Sequence, residues 1–155
     1  MGAVGRVMFT LAEQLMKLIR RESKHLDIRQ LRQRFGVAGS RYLIFEVYDD
    51  TKGDIEGATL GTYLFMLLGD NFEQREWAQE KNNPLIKPSI KARMGVYAAV
   101  KFFRFRVPPM ALVRSGRLRW TYLDKNPLNS LHRDMNLFVA LLDAIRDQLE
   151  ARGRQ

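Results

Sequence analysis

The chain has 155 residues, 46% of them hydrophobic, a formal net charge of +9 and no cysteine. That size suits one domain spanning residues 1–155, and the lack of thiols excludes a disulfide framework and thiolate metal ligation and points to a reducing intracellular compartment: cytoplasm, nucleus or mitochondrial matrix. No uninterrupted apolar run reaches the ~18 residues of a membrane-spanning helix, the nearest being 58–69 and 135–145.

Thr10-Leu11-Ala12-Glu13 has the form of a capping box, in which hydroxyl and carboxylate satisfy each other's free backbone amides. It predicts a first helix starting at Thr10, with Leu11, Leu15, Leu18 and Ile19 on its apolar face. The paucity of acids before Glu22 resembles a mitochondrial presequence, but Glu13 is better explained as the cap. A second helix is expected over Asp27 to Phe35, with Ile28, Leu31 and Phe35 inward and Gly36 closing it. The stretch from Asp27 to Arg41 resembles the first helix and turn of a helix-turn-helix through Leu31, Gly36 and Val37. It departs from that motif at Arg32, where a small residue belongs, and at Tyr42 to Tyr48, too apolar for a recognition helix; a helix-turn-strand connection explains the same residues.

Tyr42 to Tyr48, dense in β-branched and aromatic residues, reads as a buried strand, and the acidic run from Asp49 to Asp54 as a turn. Within it Asp50-Thr51-Lys52, with Asp54 and Glu56 close by, resembles the acidic-x-lysine element of metal-dependent nucleases, where the carboxylate would hold Mg²⁺. No second acidic strand element accompanies it. Thr59 to Leu68 is an apolar run without a decisive period and is read as a helix in preference to a strand. Asn71 to Lys81 reads as a polar helix anchored by Phe72 and Trp77 and ended by Asn82-Asn83-Pro84.

Ser89 is expected to cap a helix carrying Ile90, Met94, Tyr97 and Ala98 inward. Beyond it the period changes: arginines alternate with apolar residues in Phe103-Arg104-Phe105-Arg106-Val107 and again in Arg117-Leu118-Arg119-Trp120. The alternation predicts two half-buried strands, Phe102 to Val107 and Leu118 to Leu123, separated by Pro108-Pro109 and Ser115-Gly116. Asn126-Pro127 opens the last helix, on which Leu128, Leu131, Met135, Phe138, Leu142, Ile145 and Leu149 recur alternately three and four residues apart. That is a heptad seam suited to packing on a long neighbour or holding a partner helix.

Charge is sorted along the chain: residues 1–41 carry +6, 42–80 carry −7, 81–123 carry +10 without a single acid, and 124–155 are neutral. Arginine outnumbers lysine 18 to 8, which favours planar bidentate contacts over diffuse charge. His25 and His132 are two lone histidines in polar contexts, and neither a phosphate loop nor a nucleophile elbow occurs, so no catalytic residues, metal or cofactor are assigned.

The fold class expected is α+β, with four or five helices, a small mainly antiparallel sheet and a long amphipathic C-terminal helix. The function expected is a non-enzymatic structural subunit docking on nucleic acid, RNA slightly preferred. Arg104, Arg106, Arg117 and Arg119 would form an outward strand face, with Lys87, Lys91 and Arg93 as accessory contacts. The alternative is an accessory subunit of a larger multi-protein complex, mitochondrial or membrane-associated, that binds its neighbours through the heptad seam; the expected partner is nucleic acid or else an acidic protein surface, with the chain part of a larger assembly or a homo-oligomer. A metal-dependent nuclease is the third reading.

Overall fold

The computed structural model describes residues 2–37, 39–52, 56–104, 107–123 and 127–153, and in the last of these segments the side chains from 133 onward. The chain is α+β. Six helices and five strands follow in the order α1 (Ala3–Ser23), α2 (Ile28–Arg34), β1 (Arg41–Tyr48), β2 (Thr59–Leu68), β3 (Asn71–Glu76), α3 (Trp77–Glu80), β4 (Ile90–Gly95), α4 (Val96–Arg104), α5 (Pro109–Arg114), β5 (Leu118–Tyr122) and α6 (Pro127–Gly153). The strands form one sheet in the order β3-β2-β1-β4-β5, parallel only between β1 and β4. Among the described residues no helix is long and apolar enough to cross a membrane.

Several expectations hold. Asp27 caps α2 by accepting from the Gln30 amide at 3.0 Å, and Gly36 closes the turn after it at φ 63. That helix leads into a strand, so the helix-turn-helix likeness is corrected. Arg32, the residue that breaks the motif, is buried and donates to the carbonyls of Leu67, Gly69 and Gly39, tying α2 to the β2–β3 turn. Strands β1 and β5 and the last helix also lie where the pattern puts them.

Five expectations fail for identifiable reasons. The first helix starts at Ala3, seven residues before the supposed cap, and Glu13 instead accepts the Tyr63 hydroxyl at 3.1 Å. Burial, then that carboxylate, push the Tyr63 phenol far above its usual range. Residues 59–68 form strand β2, whose middle is buried on both faces, so no alternation marks it. Asn71 to Glu76 is the polar edge strand β3, with Phe72 its one buried residue, and only Trp77 to Glu80 are helical. Ile90 to Gly95 is strand β4 and passes without a loop into α4, so Phe102 to Arg104 end a helix and the expected strand there does not exist. Phe102 and Phe103 are both buried, which adjacent residues on a half-exposed strand would not be.

Register sorts the sheet's faces. Leu43, Phe45 and Val47 of β1 stand beside Tyr63 and Phe65 of β2 and beside Ile90, Ala92 and Met94 of β4, and all belong to one core that includes α1, α4 and α6. Phenylalanines dominate it. Phe65 stacks between Phe45 and Phe138 with centroids 5.2 Å away on each side, and Phe103 and Phe72 tilt against the stack. Each fully buried ring contributes about 1.5–3 kcal/mol.

The heptad seam of α6 faces this core. Met135, Phe138, Leu142 and Ile145 are buried, and Leu149 packs against them. The seam therefore meets the chain's own sheet and helices, which corrects its expected role as a free partner-binding face; the side chains of Leu128 and Leu131 lie outside the described residues. Polar clamps fix the helix at both ends. Asp134 accepts from Ser89 Oγ at 2.8 Å and pairs with Arg41 at 3.5 Å, while Glu22 of α1, 4% exposed, receives Arg152 at 2.7 Å and Gln148 at 2.9 Å.

The hydrogen bond from Arg152 holds the Glu22 carboxyl below its ordinary value, outweighing the opposing effect of burial. A group whose folded pKa is depressed stabilises above its unfolded pKa of about 4.3 and loses that contribution as pH falls through the folded value. Glu22→Gln should therefore cost about 1–3 kcal/mol at neutral pH and flatten the loss of stability below pH ~4, as read from urea melts across pH. Identical acid profiles for the two proteins would dismiss the clamp.

Candidate functional site

The face of the sheet turned away from the core carries the charge. Glu46, Arg93 and Arg119 lie in one row across β1, β4 and β5, with Lys91 in the next row along β4. Lys91 reaches Glu46 at 3.2 Å and Arg93 reaches it at 3.3 Å, while Glu56 bridges Arg93 and Arg119. Arg93 also lies over the Tyr48 ring at 4.6 Å. Burial opposes ionisation of Glu46, but the bonds from Lys91 and Thr59 and the nearby Arg93 outweigh it and hold its carboxyl low; Arg93, then Arg119, do the same for Glu56.

The sequence-expected anion site is thus brought together only in part, and that part is occupied. Lys91, Arg93 and Arg119 share a face, but each is paired with Glu46 or Glu56 of the acidic block. Arg117 precedes β5 and pairs with Asp50 at 3.1 Å. Arg104 ends helix α4, Lys87 lies exposed in the connection before β4, and Arg106 is outside the described residues. Among the described residues, Arg104, Arg117 and Arg119 therefore do not form one outward strand face.

Asp50 organises the neighbouring corner. Its side chain is only 2% exposed and takes the Tyr97 amide at 3.1 Å, capping α4 from 47 residues away, together with the Arg117 guanidinium. A buried carboxylate at a helix N-terminus with a charge-assisted partner is well compensated. Room for it exists because residue 95 is glycine: a Cβ there would collide with Asp50 Oδ2. Asp49 makes an Asx turn with Thr51, at 2.9 Å to its amide. The nuclease-like reading of Asp50-Thr51-Lys52 is corrected accordingly, since Asp50 is spent on α4 and Arg117. Asp54 lies outside the described residues, among which no cluster of three His, Asp or Glu side chains could hold a metal ion.

Among the described residues, three of the spaces border the core. Between β1, β2 and α6, against Phe65 and Phe138, about 10 Å³ is accessible, room for about one water. A second, of about 420 Å³, runs between α1 and α3 but is bordered by Glu13, Glu76 and Lys81. The third lies between α4 and α5 and offers about 320 Å³. Its floor, Ala98 and Leu112, belongs to the hydrophobic core, and Tyr97 and Ser115 form walls. Asp50, Lys101 and Arg117 stand at its rim, leaving one net positive charge. This is the candidate site: it is large enough for a ligand and mainly apolar, and its floor belongs to the core, whereas a wider space of about 590 Å³ lies along α2 at Gln30, Leu31, Gln33 and Arg34.

Of its residues, only Arg117 was marked in the sequence as a contact, and for another partner. Helix α5 was missed altogether, although Pro108-Pro109 followed by Met110-Ala111-Leu112-Val113-Arg114 carries the same signal of proline at the first helical position that marks α6.

No protein-family model and no curated protein matches this sequence. Among solved structures, the fold is similar to that of sterol carrier protein 2 from Yarrowia lipolytica in its apo form, with a TM-score of 0.51 at 12% identity over 81% of this chain and 88% of that one. Palmitated SCP2L2 from Aedes aegypti matches with a TM-score of 0.48 at 10% identity over 86% and 92% of the two chains. A UbiJ-SCP2 ubiquinone synthesis protein does so at 0.48 and 17% identity over 94% and 96%. At these identities the likeness concerns the fold. Together with the paired arginines it corrects the nucleic-acid reading, and the buried seam of α6 corrects the accessory-subunit alternative.

The Asp50 arrangement makes a specific demand on residue 95. Gly95→Ala should destabilise the protein by about 1–3 kcal/mol through overpacking, visible as a lowered midpoint in thermal or urea unfolding. Gly95→Ala combined with Asp50→Ala should recover part of that loss. An unchanged midpoint for the single variant would show that the carboxylate does not need the space.

Proposed function

We propose that this chain binds one amphipathic lipid, its apolar part entering the cleft between α4 and α5 and its polar end remaining at Lys101 and Arg117. The observation that carries this reading is the cleft's floor: Ala98 and Leu112 are part of the continuous core, so an apolar ligand there exchanges water for hydrophobic side chains. Its size of about 320 Å³ falls at the lower end of the roughly 300–1,000 Å³ usual for small-molecule sites. The likeness in fold to a protein named as a sterol carrier supports the same ligand class. Asp50 would serve the site by keeping Arg117 at its rim. A lipid-binding chain without cysteine fits a reducing intracellular compartment.

Titration of delipidated protein with a fluorescent fatty acid tests this. Saturable binding is expected, displaced by unlabelled fatty acid or sterol. Ser115→Trp, an exposed wall position that tolerates a large ring, should weaken it at least ~10-fold by filling the cleft, and Leu112→Trp should do the same from the floor. Absence of saturable binding, or equal affinity in both blocked variants, rejects the site.

A further inference from the structure

The ten cations between Lys81 and Leu123 do not share one fate. On the sheet, Lys91, Arg93, Arg117 and Arg119 are each paired with Glu46, Asp50 or Glu56. Lys101 of α4 and Arg114 of α5 are exposed and have no ion-pair partner among the described residues. Helix α5 leaves Met110, 50% exposed, and Ala111 at the surface while Leu112 goes to the core. The segment contains no acid, and Asp50 beneath it is buried and paired.

We propose that this α4–α5 corner docks the protein on an anionic lipid bilayer, with Lys101 and Arg114 at the headgroups and Met110 at the boundary with the acyl chains. Charge complementarity selects the partner. Two exposed cations on different helices, one of which also carries an exposed apolar side chain, and without a buried polar cradle between them, do not fit a single small anion. They do fit an extended surface that is negative outside and apolar just beneath. A lone exposed methionine means little by itself. Here it is carried on α5, the helix whose Leu112 floors the cleft, and Lys101 stands at the cleft's rim, so docking through these helices would bring the cleft close to the leaflet.

The inference goes beyond ligand binding, and its test is separable from it. The full chain is sedimented with vesicles of phosphatidylcholine alone and of phosphatidylcholine with phosphatidylserine. Capture is expected on the phosphatidylserine vesicles only and should weaken as salt rises. Arg114→Glu, which reverses one charge, should reduce capture on the order of 10- to 30-fold, and Met110→Asp should reduce it as well. Both should leave affinity for fluorescent fatty acid in solution unchanged, because neither residue borders the cleft. Arg119→Gln, on the sheet face, should leave capture intact. The proposal is overturned by no capture, by equal capture on phosphatidylcholine alone, or by loss in Arg119→Gln but not in Arg114→Glu. Ser115→Trp gives the converse control: lost fatty-acid affinity with vesicle capture kept condemns only the docking idea if capture also ignores Arg114→Glu and Met110→Asp.

Discussion

The carboxylate of Asp50 joins three elements that are distant in sequence. It follows β1, caps the first turn of α4 and holds the arginine that precedes β5. Because β4 runs into α4 without a loop, the direction in which that helix leaves the sheet depends on where its first turn is anchored. Arg117 in turn donates its amide to Leu112 at 2.9 Å, so the same carboxylate also bears on the end of α5. Both walls of the cleft thus trace to one buried charge. Such a charge is tolerable only when fully compensated, and the missing side chain at Gly95 is what lets it be.

Segregated charge along the chain becomes neutralisation across the sheet. Glu46 and Glu56 lie far from Lys91, Arg93 and Arg119 in sequence, but register sets Glu46 directly beside Arg93, and Glu56 reaches over both arginines. Exposed pairs of this kind contribute roughly 0–1 kcal/mol each, so their larger consequence is to favour one register and to reduce the positive field on that face. Lys101 and Arg114, on the helices, have no such partner among the described residues.

The core layer between sheet and helices is packed with aromatic rings, and little accessible space remains around Phe65 and Phe138. A cleft at the edge of that layer has the opposite character, open to solvent yet floored by the core. Apolar surface left uncovered beside a well-filled interior is the physical ground for expecting a ligand there.

How much was legible in the residues depends on whether a signal is local. Sequence alone determined the class of the fold, the strand from Tyr42 to Tyr48, the capped helix after Asp27, the strand around Leu118 and the long helix after Pro127, because caps, prolines and unbroken periods act between near neighbours. It misread residues 59–68, which are buried on both faces and so lack a period, and residues 102–104, whose adjacent phenylalanines are both buried by a helix lying between layers. The candidate site was almost invisible: Asp50 looked like turn chemistry, and α5 like a spacer. Only the tertiary structure decided which carboxylate meets which arginine, and therefore which positive charges stay available, since electrostatic pairing depends on distance in space and the partners lie up to 130 residues apart along the chain.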